Sequence, residues 1–380
     1  MEILPYTEDH RIFRDSIRKF FAKEVTPYVE QWEEDGIVPR SIWKKMGDNG
    51  FLCMQVPEEY GGLGLDFLYS VILMEELGRT NHFGLAAFLH SDIVVPYITS
   101  YASEELKQKY LPGCISGDII TAVAMTEPNA GSDLAGMMTT ATEDGADIIL
   151  NGQKTFISNG ILCDLVVLAA KDPHVSDHHK AVDLYVVESG TSGFEKGKKI
   201  RKIGWHSQDT AELFFNDCRI SKANRLGSKG SGFVMLMQKL QQERLVCCVG
   251  AQVLAERTLE ATIEYCKQRN AFGKPISKFQ NTQFRIVEMS TEVKLGRTFM
   301  DKLIVDHIEN RDIVVEVSMA KYWITDMAKR VVDGCLQLYG GYGYCEEYPV
   351  ARAWRDVRVM SIFAGTNEIM KGIAAKFMGL

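Results

Sequence analysis

Between Gly232 and Gly273 the apolar residues Val234, Met237, Leu240, Val246, Val249, Val253, Leu254 and Leu259 recur at helical steps, which predicts one long helix with an apolar face. Glu243 falls on that face, with Lys239, Leu240, Val246 and Cys247 as its helical neighbours. Two readings are open for it. Removed from water, the carboxylate would have a raised pKa, as a base working near neutral pH needs. Left at the surface, it would be half of a Lys239/Glu243 pair.

The same helical period runs from Arg11 to Trp32 through Ile12, Phe13, Ile17, Phe20, Phe21, Val25 and Tyr28, with Thr7 as a cap. A Pro/Gly loop at 56–66 precedes helical patterns at 67–78, 83–101 and 103–110, the last opening on a Ser103 cap. Near residue 119 the pattern changes to short β-branched or aromatic runs at 119–125, 147–158, 164–170, 182–188 and 210–217, with turn signals at Asp144-Gly145 and Asn151-Gly152. Helical spacing returns at Gly232 and continues over 281–310, 315–338 and 367–377, joined by short connections. The pattern therefore predicts an α+β protein. A helical N-terminal domain (1–118) leads into a central antiparallel β-barrel or sandwich (119–228) and then a C-terminal four-helix bundle (229–380).

Composition narrows the class. With 46% hydrophobic and 24% charged residues over 380 positions the chain reads as an ordinary globular protein. No apolar run approaches the roughly 18 residues that span a bilayer, and the start MEILPYTEDH has no basic-then-apolar leader. The expected location is the cytoplasm of a bacterium, or the mitochondrial matrix for a processed eukaryotic chain. A net charge of −7 without a basic block speaks against nucleic-acid binding. The 9 cysteines form no CxxC or CxxH pair, so buried free thiols are expected rather than a zinc site or a disulfide framework. His174, His178 and His179 sit in a polar run that reads as a surface loop.

Candidate chemistry is spread over several short motifs: AMTEPNAGSD (124–133), KTFISNG (154–160), RNAFG (269–273) with Gln280, LQLYGGYGY (336–344) and FAGTNEI (363–369). The first ends a β-run in a turn whose hydroxyls and free amides suit a phosphate or the edge of a flavin. Each is weak alone. In this order, and with HSDIVVPYI, DTAELFF, QERL and QRNAFGK, the whole chain resembles the acyl-CoA dehydrogenase family of flavoproteins, most closely its long-chain subgroup.

That resemblance implies a homotetramer with one FAD per subunit, acting in fatty-acid β-oxidation and passing electrons to an electron-transferring flavoprotein. By position, Met125 and Thr126 would line the flavin, Phe156 and Ser158 would cover and hydrogen-bond it, and Ser132 would face the flavin and CoA phosphates. Arg269, Phe272, Gln280, Gln337, Gly340 and Gly341 would come from a neighbouring subunit to the pyrophosphate and adenine end, and Thr366 and Glu368 would meet the same cofactor. Arg244 would contact the CoA portion.

Many members of the family carry the catalytic Glu just before the Gly-Thr of the last motif, where this chain has Ala364. The long-chain and isovaleryl subgroups place it on the long helix, one residue before an Arg, and Glu243-Arg244 matches that arrangement. The implied reaction is removal of the α-proton by Glu243 and of the β-hydrogen as hydride by FAD. The thioester carbonyl would be held by a ribityl hydroxyl and the residue-364 amide. Bulky Phe363 favours an unbranched acyl chain. Asp92 falls by position near the acyl pocket and reads either as a helix-surface residue or as the mark of a cyclic or functionalised acyl group. An acyl-CoA oxidase and a non-catalytic acyl-CoA-binding or assembly homologue are the rival readings. Oxidases usually carry a long C-terminal extension that this chain lacks, and a non-catalytic protein need not keep Glu243.

Overall fold

Thr7 accepts a hydrogen bond from the His10 amide and starts α1 (Glu8–Glu24). Pro27 then turns the chain through a 3-10 segment into α2 (Val29–Asp35), so the single helix expected over 11–32 is two. The structure, a computed structural model, describes residues 3–380. A helix not expected from the pattern, α3 (Arg40–Asp48), precedes the almost wholly buried α4 (Phe67–Gly78). Of the helix expected over 83–101, residues 83–86 are irregular. Gly84 there lies so close to a loop of the sheet domain that a Cβ would sit 1.9 Å from Ser207 Oγ. Regular structure follows as a π-helical stretch, Leu89–Val94, and α5 (Val95–Tyr101), and Ser103 caps α6 (Glu104–Ser116).

The middle third is an eight-stranded sheet of β1 (Thr121–Ala124), β2 (Thr140–Asp144), β3 (Asp147–Ser158), β4 (Leu165–Lys171), β5 (Val182–Glu188), β6 (Phe194–Lys199), β7 (Thr210–Ser221) and β8 (Arg225–Leu226). Its order is β6-β7-β3-β2-β4-β5-β8, with β1 beside β4. The expected antiparallel sheet is in fact mixed. β1 runs parallel to β4 from Thr121↔Leu165, and β2 meets β4 in parallel at Thr140↔Lys171. The segment 125–139 loops out between β1 and β2 and returns the chain in its original direction. Asn151-Gly152 is not a turn either. It lies inside β3 at a register shift, where Gly152 adopts φ 149° and a Cβ would come within 2.6 Å of Thr139 Oγ1.

β4 and β5 explain the unbroken apolar runs. Leu165, Val167, Ala169, Val182, Leu184 and Val186 belong to the large core shared with the helices, while Val166, Leu168, Ala170, Tyr185 and Val187 fill the interior of the sheet domain. β7 closes that interior with Leu213, Phe215 and Cys218.

The last third holds α7 (Gly232–Gln268), a hairpin of β9 (Asn270–Ala271) and β10 (Lys274–Pro275), α8 (Gln280–Ile308), α9 (Val314–Tyr339), α10 (Pro349–Val357) and α11 (Asn367–Phe377). α7, α8 and α9 pack on one another, α10 and α11 pack on α9, and α4 docks on α7. Val234 and Met237, placed by the pattern on the apolar face of α7, are exposed, and Met235 and Leu236 are buried in their stead. All cysteines are free; Cys345 is exposed and the others are buried. His174, His178 and His179 are exposed in the turns between β4 and β5. Among the described residues no His/Cys/Asp/Glu group could hold a metal ion, and no helix is long and apolar enough to cross a membrane.

Candidate active site

Glu243 is buried in the N-terminal third of α7, and its Oε1 accepts a 2.7 Å hydrogen bond from the hydroxyl of Tyr97 on α5. The surface-pair reading is thereby overturned. Lys239 points elsewhere, donating to Ser100 Oγ at 2.6 Å and lying over the Tyr101 ring. Burial pushes the Glu243 carboxyl up to about 7, against the opposing pull of Tyr97 and Arg244. A group so tuned is half ionised near neutrality, the condition for a general base there. The neighbouring Arg244 is also buried. Nη1 reaches Ser318 Oγ at 3.4 Å, and Nε has no partner among the described residues.

Asp92 lies in the π-helical stretch and is buried, which overturns its reading as a surface residue. Its Oδ1 accepts from Ser70 Oγ at 2.5 Å and Gln55 Nε2 at 3.1 Å, while Oδ2 has no partner among the described residues. Gln242, beside Glu243, donates to the Asp92 carbonyl at 2.7 Å and so ties the stretch to α7. Burial raises the Asp92 pKa from 3.8 to about 6. The native carboxyl thus holds its proton more tightly than the unfolded one, and the native state loses stability as pH rises from 3.8 to about 6. Asp92→Asn is expected to remove that slope, about 3 kcal/mol of it. Urea denaturation of both proteins at pH 5 and pH 8 checks this: about half of that loss falls between the two, and the wild-type difference should shrink by that much in the variant.

A second cluster forms where β1 and β3 end side by side. Lys154, with no exposed surface, donates to the Met125 carbonyl at 3.0 Å and to Glu127 Oε1 at 2.7 Å, and the Thr155 amide donates to the Thr126 carbonyl at 2.9 Å. Glu127 also accepts from the amides of Met138 and Thr139 and so pins both ends of the 125–139 loop. Burial lowers the Lys154 pKa to about 8, which leaves it charged at neutral pH. These bonds bring Met125, Thr126, Phe156 and Ser158 together. Phe156 is held at φ 58°, a genuine outlier for a bulky residue, and its ring is 65% exposed. Ser132 is exposed in the loop beyond.

A third region lies at the far end of α7. Arg269, Gln337, Gly340 and Gly341, with Tyr265 and Tyr342, line a cavity of about 510 Å³. Gly340 has φ 60°, and a Cβ at Gly340 or Gly341 would meet nothing within 4 Å, so the backbone is open to a ligand. The Arg269 guanidinium lies 5.2 Å from the Tyr342 ring centre. Phe272, at the hairpin tip with φ 52°, is 95% exposed, and Gln280 opens α8; neither lines the cavity.

The turn 363–366 completes the set. Ala364 has φ 53° and Gly365 φ 88°, and Thr366 caps α11 by accepting from the Ile369 amide, with Glu368 exposed in the first turn. Phe363 packs edge-on against Trp205 at 5.6 Å. The Cys247 thiol, one turn beyond Glu243, lies 3.5 Å from the Met360 carbonyl, so the approach to this turn runs beside the helix of Glu243.

Family models for the N-terminal, middle and C-terminal domains of acyl-CoA dehydrogenase match residues 7–118, 122–218 and 230–379. The chain belongs to the acyl-CoA dehydrogenase family. It is 45% identical to the long-chain specific acyl-CoA dehydrogenase of Sus scrofa mitochondria over 98% of this chain and 86% of that one. The solved acyl-CoA dehydrogenase of Geobacillus kaustophilus is 55% identical, with a TM-score of 0.98 over 99% of each chain. An FAD complex of PigA superposes with a TM-score of 0.94 at 29% identity over all of both chains. As an acyl-CoA dehydrogenase family member the protein is an FAD-dependent oxidoreductase.

The residues fit that cofactor. A water-exposed Phe156 beside free hydroxyls suits a ring system that covers it, and an Arg beside an uncluttered Gly-Gly backbone suits a pyrophosphate. Lys154 and Tyr97 lie within KTFISNG and HSDIVVPYI but no role is read for them there, and Trp205 lies outside the motifs. Tyr97 comes from a helix 146 residues before its partner, and only the fold joins the two.

Proposed function

We propose that the protein dehydrogenates an unbranched acyl-CoA thioester to the trans-2-enoyl-CoA, with Glu243 as the base. The observation that carries the reading is the buried Glu243 carboxyl, raised to about 7 and held by Tyr97 on an acyl-CoA dehydrogenase fold. The Ala364 amide has no acceptor among the described residues and is free to bond the thioester oxygen as negative charge develops there. Glu243 takes the α-proton, and Tyr97 steadies the side chain in the charged form that does so. FAD, when bound, would supply the acceptor for the β-hydrogen and its electron pair. Met125, Thr126, Phe156 and Ser158 hold and cover the ring, with Ser132 toward the phosphates, and Arg244 offers its unpartnered Nε to the CoA portion. Phe363, braced by Trp205, leaves little room for a branch at the thioester.

Arg269, the C-cap of α7, follows Glu243 by 26 positions, about 39 Å along the helix at the helical rise. That is farther than one extended dinucleotide reaches, which supports a site whose adenine end is supplied by Arg269, Phe272, Gln280, Gln337, Gly340 and Gly341 of a second copy, with Thr366 and Glu368 at the same cofactor. Exposed Phe284, Val287 and Leu295 on α8, with Phe377 and Met378, give such a copy an apolar face, and a homotetramer is the assembly proposed. Electrons leave to an electron-transferring flavoprotein, and the pathway is fatty-acid β-oxidation.

The unpartnered, buried Oδ2 of Asp92 favours a second reading, in which the acyl group carries a ring or a polar substituent. Anaerobic titration of the flavoprotein with straight-chain, branched and cyclic acyl-CoAs decides between them. Straight chains are expected to bleach the flavin fastest. Bleaching by cyclic thioesters alone would favour the Asp92 reading, and no bleaching by any of them would overturn the assignment as an acyl-CoA dehydrogenase.

A further inference from the structure

Ala364 holds a left-handed backbone that only a surrounding structure can impose on an alanine, and its amide has no acceptor among the described residues. One side of the turn is braced by Phe363, whose amide bonds the Val359 carbonyl at 3.1 Å and whose ring meets Trp205. Thr366 fixes the exit by capping α11. The third brace is Lys321.

Lys321 sits in the N-terminal third of α9 on its apolar stripe, with Val317, Ala320 and Ile324 for company and no exposed surface. Among the described residues its ammonium has no carboxylate within ion-pair distance. Its acceptors are the Gly365 carbonyl at 2.7 Å and Asn367 Oδ1 at 3.2 Å. Asn367 is itself anchored to α9, its Nδ2 donating to the Tyr322 carbonyl at 3.1 Å and to Thr325 Oγ1 and Asp326 Oδ1 at 3.0 Å. A buried ammonium without a counter-ion is a costly way to fill a core, and an apolar side chain of the same length would pack there without that cost. What the ammonium adds is a rigid link from α9 to the residue that follows Ala364.

We propose that Lys321 is a positioning residue for the carbonyl-binding turn. By fixing the Gly365 peptide it sets the aim of the Ala364 amide at the thioester oxygen. The inference rests on the reading of that amide as the carbonyl donor. A donor of this kind works only if its direction is set before charge develops, and a shift well under the length of a bond is felt in rate more than in binding.

The test uses the FAD-loaded protein and acetoacetyl-CoA, whose acidic α-proton exchanges with water and whose bound enolate absorbs in the ultraviolet, so that no enzymic base is needed. Lys321→Met is expected to retain FAD and assembly and to keep KM within about threefold. kcat should fall about 100-fold, and the pH at which bound acetoacetyl-CoA ionises should rise by about one unit or more. Asn367→Ala, which loosens the same link from its other end, is expected to move both in the same direction by less, and it carries the test alone should Lys321→Met not fold. An unchanged ionisation of acetoacetyl-CoA in whichever variant folds, with kcat lost only in proportion to folded protein, would overturn the proposal and leave Lys321 a purely structural residue. Failure of the base assignment is read separately: normal turnover by Glu243→Gln would remove Glu243 from the reaction without touching the acetoacetyl-CoA result.

Discussion

Glu243→Gln is expected to lower kcat by on the order of 10^3- to 10^4-fold while FAD content and acyl-CoA binding stay near wild type, because the amide keeps the shape of the side chain and removes only its ability to take a proton. Rapid mixing with acyl-CoA and observation of flavin bleaching measures the loss, and near-normal bleaching would refute the assignment. In the wild type, kcat/KM should climb with pH through about 7 as the free carboxyl ionises. Stability should run the other way. The folded pKa of about 7 lies above the ordinary 4.5, so the native state binds the proton more tightly than the unfolded chain and is penalised progressively as pH rises across that interval. The full penalty is about 3 kcal/mol. Gln abolishes it, so the variant should gain thermal stability over wild type at pH 8 and little at pH 5. A side chain that reached solvent would lack this paired signature of lost rate and gained stability.

Moving the carboxylate is the second large effect. Glu243→Ala is expected to be as inactive as the Gln variant, and adding Ala364→Glu to it should restore activity by about 100-fold over the single variant, still well below wild type. The reason is proximity. The backbone at 364 is already held at φ 53° by its surroundings, and the segment leading to it lies against α7 through Met360 and Cys247, so the two positions sit on adjoining elements and the double variant tests whether they serve one space. Steady-state assay of the double variant decides it, and a completely dead protein would mean that the two positions do not converge on one carbon.

Glu243 was legible because an acid on an apolar stripe is a local anomaly, visible at helical spacing without any knowledge of the fold. The same signal was present at Lys321, four residues after Val317 and three before Ile324 on α9, and it marks a buried charge that bonds the turn. Tyr97 and Trp205 carried no such mark. An aromatic among apolar residues is ordinary, and their importance comes from partners far away in sequence. Helices α8, α9 and α11 were placed to within two residues, since long amphipathic patterns leave little choice, whereas the stretch read for α7 ran on to Gly273, past its end at Gln268, and α10 was not expected. The sheet was harder. Asn151-Gly152 has the composition of a hairpin turn, yet Thr139 occupies the space that a side chain at Gly152 would need, and the dipeptide serves a bulge instead. Parallel pairing of β1 and β2 with β4 depends on the path of an irregular loop, which no residue pattern encodes. Helix α10, with Pro349 in its first turn, did offer a start signal.

The two-sided strands β4 and β5 have a consequence for how the molecule comes apart. Alternate side chains of each strand belong to different interiors, so neither interior can melt without stripping a wall from the other. The middle third is therefore no detachable module: a proteolytic cut that releases it would bare an entire apolar sheet face to water, and heating should dissolve sheet and helices in one cooperative step.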